Sequence, residues 1–370
     1  MRSDRRRWLL KAGAAAAAAS GAWPVAGFAQ PAPAAGSRTN ASTSTTTITD
    51  DLGRQVRLSL PLKRVVVFNR YTTEFIRAIG AMPAVVGVDF DGGRFTDYWP
   101  GVTQAMYAGS GQSSPNFEAI VSMRPDAVFM PRNSAWKKAA GILEGFGIPV
   151  VVLTGWDLLK HEWNVELLGR LFGQAPKAAQ LNAFYRQWRE TLRIRLRGAV
   201  PRRVYFEEVG DNKTALKGSG WHDMVEAGGG INVFGDISIP GQSTARGNIQ
   251  NFEVDPEEIQ ARSPDVIIKL QPGQYKPHPR EFSVTQLEKL ARRPGLAATP
   301  AVKNAQVYHL SYYLASGCSK ITGALQIAQW LHPERMAGID VDAVMGTWLR
   351  DFQGVPAQTG YWHSLAGVRR

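Results

Sequence analysis

The sequence predicts an α/β protein of two doubly wound lobes, joined by one long interlobe helix, with a ligand cleft between the lobes. Aliphatic strands alternate with helical segments through most of the 370 residues, a pattern typical of parallel sheets covered by helices. A helix with a clear apolar stripe near 176–197 divides this alternation into two runs. Each run contains a Pro-Asp pair between a helix and a buried strand, in MRPDAVFM (123–130) and RSPDVIIKL (262–270).

The first lobe is predicted to cover residues 48–158. ITDDLGRQVRLSL carries the turn signal of a β-hairpin, and RVVVF (64–68) is continuously apolar, like a strand buried on both faces. The elements that follow are the helix TTEFIRAIGA, the strand AVVGV, a helix over 117–123, the strand DAVFM, a helix over 135–146 and the strand IPVVVL.

The segment 159–198 is predicted to hold the interlobe helix, which starts near Pro176 and ends near Arg197. Proline is favoured in the first turn of a helix. One stripe of this helix is apolar and a second is basic: Leu181, Phe184, Tyr185, Trp188 and Leu192, and Arg186, Arg189, Arg193 and Arg197. A basic stripe is compatible with nucleic-acid binding, but we interpret it as a solvated helix face, so no nucleic-acid partner is expected.

The second lobe is predicted to cover residues 199–353, followed by a tail over 354–370. Its elements are the strand RVYFEEV, the helix GWHDMVEA, the strand INVF, the helix DPEEIQA, the strand DVIIKL, the helix SVTQLEKLA, the strand QVYHL and helices over 320–331 and 341–353.

The two Pro-Asp junctions suggest that the lobes are versions of one unit. Aligning Ile120 with Ile259 superposes the Pro-Asp pairs at 125–126 and 264–265 without a gap. In both copies a helix ends at the residue before proline, where helical geometry is disfavoured, and a buried strand follows. The pair is therefore predicted to be framework.

Residues 1–29 have the pattern of a cleaved export signal, with a basic head, an Ala-rich stretch and small residues up to Ala29. The run Arg5, Arg6, Arg7, Trp8 and Leu9 resembles a twin-arginine signal, and general secretion is the alternative. Residues 30–47 are rich in Pro, Ser and Thr and predict a disordered leader. Cys318 is the only cysteine, so no lipid anchor near the signal and no intrachain disulfide is expected, and a periplasmic location follows.

The chain is basic. Its net charge is +12, and loss of residues 1–29, with five Lys or Arg and one Asp, leaves +12 minus 4, or +8. An excess of positive charge favours anionic ligands or a membrane surface without choosing between them.

Several segments, in this order, resemble the periplasmic substrate-binding proteins of ABC importers for ferric siderophores, haem and cobalamin. They are ITDDLGRQVRL, KRVVVFNRYTTEFIRAIGA, NFEAIVSMRPDAVF, GGGINVFGD, VDPEEIQARSPDVII, AVKNAQVYHL and ALQIAQWLHPE, which together cover nearly everything from Ile48 to about Phe352. The resemblance implies a binding protein that captures a solute between its lobes and delivers it to a permease. It also implies a monomer without catalytic residues or a cofactor.

The same resemblance implies two exposed carboxylates, one on each lobe, that pair with arginines of the permease. Glu74 in YTTEF and Glu226 in DMVEAGGG match these positions. A glutamate in the first turn, like Glu74, is also favoured by the helix dipole alone. Glu226 precedes three glycines at a helix C-terminus, where the dipole disfavours an anion.

The ligand is expected at the loops that follow the strands, as in other open α/β sheets. Arginine beside aromatic rings suits a flat or conjugated anion such as a metal chelate. The predicted ligand-binding residues are Arg70, Tyr71, Tyr98, Trp99, Arg132, Trp136, Trp156, Lys217, Trp221, Arg246, Tyr275 and Tyr312.

A ferric siderophore is the leading ligand, with haem, cobalamin and a molybdate-like oxyanion as alternatives. An exported chelate-processing enzyme is the competing class of function. The sequence lacks the G-x-S-x-G elbow and the phosphate-binding loop, and HEWNV has Val165 where a zinc protease has its second histidine. The six histidines are scattered, so no metal site is predicted, and Cys318 is expected to be a packed thiol.

Overall fold

Two separate sheets form the centres of the two predicted lobes, which confirms the predicted fold class. The computed structural model describes residues 44–90, 95–239, 243–273 and 275–366. The predicted export signal and most of the predicted leader lie outside these residues.

The first sheet is parallel throughout, with the strand order β4-β3-β5-β6. Its short strands are almost entirely aliphatic and buried, as expected for strands covered on both faces. The elements up to its last strand are the hairpin strands β1 (Ser44–Thr49) and β2 (Gln55–Leu60), β3 (Val65–Val67), α1 (Arg70–Ala78), β4 (Val85–Val88), α2 (Phe117–Ser122), β5 (Ala127–Met130), α3 (Trp136–Leu143) and β6 (Val150–Val152).

Two helices, rather than one, connect the sheets: α4 (His161–Leu171) and α5 (Ala175–Arg195), which pack against each other. A single 3₁₀ turn, Leu158–Lys160, precedes α4. Proline lies in the first turn of α5, and Leu181, Phe184 and Tyr185 are buried, as the apolar stripe predicts.

The second sheet is mixed. Parallel strands β7, β13 and β14 form its centre, and β15 pairs with β14 in antiparallel fashion. Its elements and those around it are β7 (Arg202–Glu207), β8 (Lys213–Thr214), α6 (Gly220–Ala227), β9 (Gly230–Asn232), β10 (Ser243–Thr244), β11 (Gly247–Asn248), β12 (Phe252–Glu253), α7 (Pro256–Ala261), β13 (Val266–Gln271), α8 (Arg280–Ala291), α9 (Pro300–Lys303), β14 (Val307–Ser311), α10 (Tyr312–Ser316), α11 (Lys320–Leu331), α12 (Val341–Thr347) and β15 (Trp362–Ser364).

Two predicted segments differ from the structure. Residues 44–47 belong to β1, although their composition predicts part of the disordered leader; their threonine side chains suit a paired edge strand. The predicted tail contains β15, whose backbone completes the edge of the second sheet through pairing with Tyr308, His309 and Leu310. Both segments have weak apolar patterns, so their pairing depends on a partner strand.

The Pro-Asp repeat is framework, and both lobes use it in the same way. A carboxylate oxygen of Asp126 accepts hydrogen bonds from the backbone of Lys63 and Arg64 at 2.7 and 2.9 Å. Asp265 accepts one from the backbone of Arg203 at 3.0 Å. Each aspartate thereby fixes the backbone at the start of the neighbouring strand, β3 in the first sheet and β7 in the second.

Candidate functional site

The site is a cavity of about 370 Å³ between the lobes, which we call the cleft cavity. Both lobes contribute to its walls, and the contributing segments follow strands or begin helices. The lining residues are Asn69, Arg70, Tyr71, Asp89, Phe90, Gly111, Gln112, Asn133, Trp156, Gly220, Trp221, Gln250, Tyr312, Ser316 and Lys320.

Three helices begin at this cavity. Arg70, Gly220 and Lys320 are the first residues of α1, α6 and α11, and all three line it. The N-terminus of a helix carries partial positive charge and unpaired N–H groups. Their convergence therefore favours an anionic ligand.

Asn69 sets the start of α1. Its backbone has a positive φ of 121°, which is uncommon for a residue other than glycine. Its side chain accepts a hydrogen bond of 3.0 Å from the backbone of Tyr71 and donates one of 3.3 Å to Gln112. These contacts fix the start of α1 and thereby the position of Arg70, its first residue.

Arg70 is held by aromatic rings. Its guanidinium carbon lies 5.3 Å from the ring centroid of Tyr71 and 5.9 Å from that of Tyr275. It also donates a weak hydrogen bond of 3.4 Å to the Tyr71 hydroxyl. Rings hold a guanidinium without neutralising it, so its charge is available to a ligand.

Lys320 is the second cation of the cleft cavity and is only 1% exposed. Its ammonium group donates to the carbonyl oxygen of Trp156, which joins the second lobe to the first. A Cβ atom at Gly220 would collide with both groups, so glycine is required there. Burial lowers the pKa of Lys320 to about 8, against the opposing effect of Asp157 and Asp223.

One carboxyl group belongs to the same cavity. Asp89 follows β4 and accepts a hydrogen bond of 3.1 Å from the backbone of Asn69. Burial raises the pKa of Asp89 to about 6, although this hydrogen bond and the charge of Arg70 oppose the shift. Protonation of Asp89 below that pH therefore removes its negative charge from the cavity.

Aromatic rings from both lobes form the walls. Trp156 meets Tyr71 edge to face with centroids 6.3 Å apart, and Trp221 meets Tyr312 in the same way at 5.8 Å. Edge-to-face pairs fix ring orientation. Two cations between such walls suit a compact anion that has an apolar or conjugated surface.

The structure brings together five of the twelve predicted ligand-binding residues around the cleft cavity: Arg70, Tyr71, Trp156, Trp221 and Tyr312. Each follows a strand or opens a helix, as the prediction assumed.

Three predicted aromatic residues do not line the cleft cavity. The rings of Tyr98 and Tyr275 stack with centroids 3.8 Å apart, and Trp99 contacts both at 5.2 and 5.9 Å. All three are at most 4% exposed. The three rings belong to the hydrophobic core, where aromatic pairs hold one another in fixed orientations.

The four other predicted residues also lie outside the cleft cavity, and three of them have local partners. Arg132 pairs with Asp157 at 3.1 Å, and Trp136 packs against Arg54 with a ring-to-guanidinium distance of 4.7 Å. Lys217 is exposed and does not line the cleft cavity. Arg246 lies 3.5 Å from Glu258 and covers the ring of Phe252, and it does not line the cleft cavity.

Glu74 and Glu226 occupy different environments. Glu74 is fully buried, so the expectation that it is exposed for docking is wrong. The second lobe covers this face of α1, a contact that the local sequence does not reveal. Glu226 is exposed, near the C-terminal end of α6, where it accepts a hydrogen bond of 3.3 Å from the backbone of Asn232.

Sequence reasoning missed most of the polar lining. Lys320 is the important omission, because it opens a helix that is otherwise almost entirely buried. A lone lysine at the start of KITGALQIAQWL was a usable signal, since lysine is rarely buried without a reason. Asp89, Gln112 and Asn133 lie in loops and gave no comparable signal.

A scan against protein-family models identifies the family. Residues 65–313, which include the strands of the first sheet and most of the second, match the model of periplasmic binding proteins. The chain belongs to the periplasmic binding protein family. In the described part of this periplasmic binding protein, no helix is long and apolar enough to cross a membrane.

Several known proteins are similar to this chain in sequence or in fold. The vitamin B12-binding protein of Salmonella paratyphi A is 28% identical over 55% of this chain and 71% of its own length. The cobalamin-binding protein of Halobacterium salinarum is 28% identical over 56% of this chain, which spans only 53% of that protein. The molybdate periplasmic binding protein MolA of Haemophilus influenzae, in its molybdate-bound structure, has a TM-score of 0.67 at 20% identity, over 85% of this chain and 99% of that one.

Proposed function

We propose that this periplasmic binding protein captures a compact anionic metal chelate in the cleft cavity and delivers it to an ABC permease. Ferric siderophores are the leading ligand class. The observation that carries the proposal is that two cationic residues, Arg70 from one lobe and Lys320 from the other, line the same cavity. Aromatic rings and three helix N-termini bound this cavity. An anion that contacts both cations would favour closure of the lobes.

The size of the cavity supports a compact ligand. At about 370 Å³ it lies near the lower end of the range for small-molecule sites, roughly 300–1,000 Å³. Cobalamin is the second candidate because two relatives at 28% identity are named for it. A corrinoid would require the lobes to open much further than they are here.

Tryptophan fluorescence tests the ligand class, since Trp156 and Trp221 line the cleft cavity. The purified protein would be titrated with a ferric catecholate, a ferric hydroxamate, cyanocobalamin, haemin and molybdate, with calorimetry to exclude optical artefacts. We expect one ferric chelate to bind most tightly. Its absorption spectrum should stay unchanged over hours, because a binding protein does not process its ligand.

Paired variants sharpen the test. Arg70→Gln and Lys320→Gln should each weaken chelate binding at least tenfold, since each removes a charge from a desolvated site. Lys217→Gln is the matched control, because Lys217 is exposed and outside the cavity. Tightest binding of cyanocobalamin, or affinity that is unchanged in both cavity variants, would refute the anionic-chelate proposal.

For docking to the permease we propose Glu118 and Glu257 in place of Glu74. The alignment of Ile120 with Ile259 makes them equivalent, and both are exposed in the first turns of α2 and α7. Each of these helices leads into a central parallel strand, β5 or β13, so its first turn lies at the sheet edge that faces the cleft. Glu226 is near the end of its helix, at the opposite edge of the sheet, and its docking role stays a prediction.

Export to the periplasm through a cleaved signal is part of the proposal. Mass spectrometry of the protein recovered from its native cells should give a mature N-terminus at Gln30. Loss of export in cells that lack the twin-arginine system would assign the route, and normal export there would assign general secretion.

A further inference from the structure

A second cavity, of about 550 Å³, lies at the C-terminal end of α5 and is larger than the cleft cavity. We call it the α5 cavity. It is bounded by the last turns of α5, the turn Leu158–Lys160, the end of α6 and the start of α11. No residue lines both cavities.

The floor and walls of the α5 cavity are apolar. They consist of Leu158, Leu159, Leu192, Leu196, Ala199, Pro201, Ala227 and Ile321. Leu159 is 70% exposed, an unusual fraction for a leucine beside a concave apolar surface. A continuous aliphatic lining without aromatic rings fits a flexible hydrocarbon chain better than a flat ligand.

The remaining lining is mainly cationic. Arg189, Arg193 and Arg197 follow one another at intervals of four residues and therefore share one face of α5 and its final turn. Glu226 is the single acidic group in the lining. The cavity thus combines a hydrocarbon surface with an excess of positive charge.

These arginines are available to a ligand. Arg189 pairs with Glu162 at 2.9 Å and Arg193 with Glu190, but both arginine side chains are more than half exposed, and such ion pairs exchange easily with water. Arg197 has no salt bridge among the described residues. An arginine stem can lie along apolar surface while its guanidinium reaches the head group of a bound molecule.

We propose that the α5 cavity binds an anionic amphiphile, with its acyl chain against the leucines and its head group on Arg193 and Arg197. Charge complementarity selects an anionic head, and the aliphatic lining selects the chain. The source is either a free amphiphile or a lipid of an anionic membrane surface. The site is independent of the cleft cavity and of the proposed ligand.

The test uses dodecyl phosphate below its micelle-forming concentration, measured by calorimetry with the purified protein. We expect saturable binding to one site. Hexyl phosphate should bind at least tenfold more weakly because its chain is shorter, and dodecyltrimethylammonium should bind at least tenfold more weakly because its charge is opposite. Equal affinity for the two dodecyl compounds would overturn the proposal.

Variants locate the site. Arg193→Glu with Arg197→Glu, and separately Leu159→Asp, should each weaken dodecyl phosphate binding at least tenfold. These residues are exposed, so the fold should tolerate the changes. Arg186→Glu is the matched control, since Arg186 lies on the same stripe of α5 but outside the cavity. Loss of binding in the control equal to that in the double variant would overturn the assignment.

Flotation with phosphatidylglycerol-containing vesicles separates the two sources. Vesicle binding that dodecyl phosphate displaces, and that Leu159→Asp abolishes, identifies the ligand as membrane lipid. Binding of dodecyl phosphate without vesicle binding identifies a free amphiphile. Vesicle binding without any binding of dodecyl phosphate would overturn the cavity proposal, because a charged surface alone would then account for it.

Discussion

Tyr98 donates a hydrogen bond of 3.0 Å to the buried carboxyl group of Glu74, and its hydroxyl lies 2.5 Å from that of Tyr313. Glu74 and Tyr98 belong to the first lobe, whereas Tyr313 belongs to the second. Burial raises the pKa of Glu74 to about 7, although Arg77 and the Tyr98 hydrogen bond oppose the shift. The contact between the lobes therefore contains a carboxyl group that titrates near neutral pH.

Glu74 should make the stability of the protein fall as the pH rises towards neutrality. Its pKa is raised from 4.5 to about 7 by folding, so the folded state binds more protons than the unfolded state between these values. The contribution of Glu74 to the free energy of unfolding should fall by roughly 3 kcal/mol across this window and stay constant above it. Urea denaturation of the wild type and of Glu74→Gln at pH 5 and pH 8 measures this.

The glutamine variant should be more stable than the wild type at pH 8 and nearly equal to it at pH 5. Glu118→Gln is the control, because Glu118 is exposed and should show no such difference. If Glu74→Gln changed stability by the same amount at both pH values, the group would not titrate in this window.

Gly317→Ala should also disturb the contact between the lobes. A Cβ atom at this position would lie 2.6 Å from a ring carbon of Tyr71 and 3.0 Å from a carboxylate oxygen of Glu74. Relief of that overlap requires α10 and α1 to separate slightly, which should cost about 1–3 kcal/mol of unfolding free energy. Thermal and urea unfolding at one pH provide the measurement.

Gly141→Ala is the matched substitution, since a Cβ atom there meets nothing within 4 Å and the residue lies inside α3. It should leave stability unchanged or raise it by up to about 1 kcal/mol, because alanine favours helix. Equal effects of the two substitutions would show that the space around Gly317 is not restrictive.

Glu118→Ala together with Glu257→Ala should stop uptake of the ligand and leave its affinity unchanged. Neither side chain lines the cleft cavity, whereas loss of both removes one carboxylate from each lobe. Growth of cells that depend on the transported ligand measures uptake. Fluorescence titration of the purified protein measures affinity. Glu226→Ala is the comparison variant: normal uptake there supports the new pair, and a block in Glu226→Ala alone would favour the original assignment.

The parts of the fold that the sequence predicts well are those with strong local patterns. RVVVF and DVIIKL are apolar throughout and become buried strands, and the stripe of Leu181, Phe184 and Tyr185 becomes the buried face of α5. The Pro-Asp pairs predict the repeated junction because proline acts on its immediate neighbours. In the site, the residues directly after strands are predictable because the end of an apolar strand is visible in the local sequence.

The errors concern contacts between distant segments. Glu74 lies on a helix whose outer face would normally be solvated, but Tyr98 and residues near 313–353 pack over it and bury it. Tyr98 and Tyr275 are separated widely in sequence, so their stacking could not be derived from either loop alone. Lys320 becomes part of the site only because the first lobe supplies the carbonyl of Trp156.

Lys320 should make ligand affinity depend on pH. Its pKa in the ligand-free protein is about 8, and the ammonium form is the one that attracts an anion. The contribution of Lys320 to the affinity for an anionic ligand should therefore fall as the pH rises from 7 towards 9, by up to about tenfold per pH unit once the amine is mostly neutral. Lys320→Met should bind at least tenfold more weakly at pH 7 and show no further loss up to pH 9.

Lys217→Met is the control, because it keeps Lys320. It should follow the wild-type curve, which corrects for any titration of the ligand itself. A loss of affinity above pH 8 that persists in Lys320→Met would assign the titration to another group.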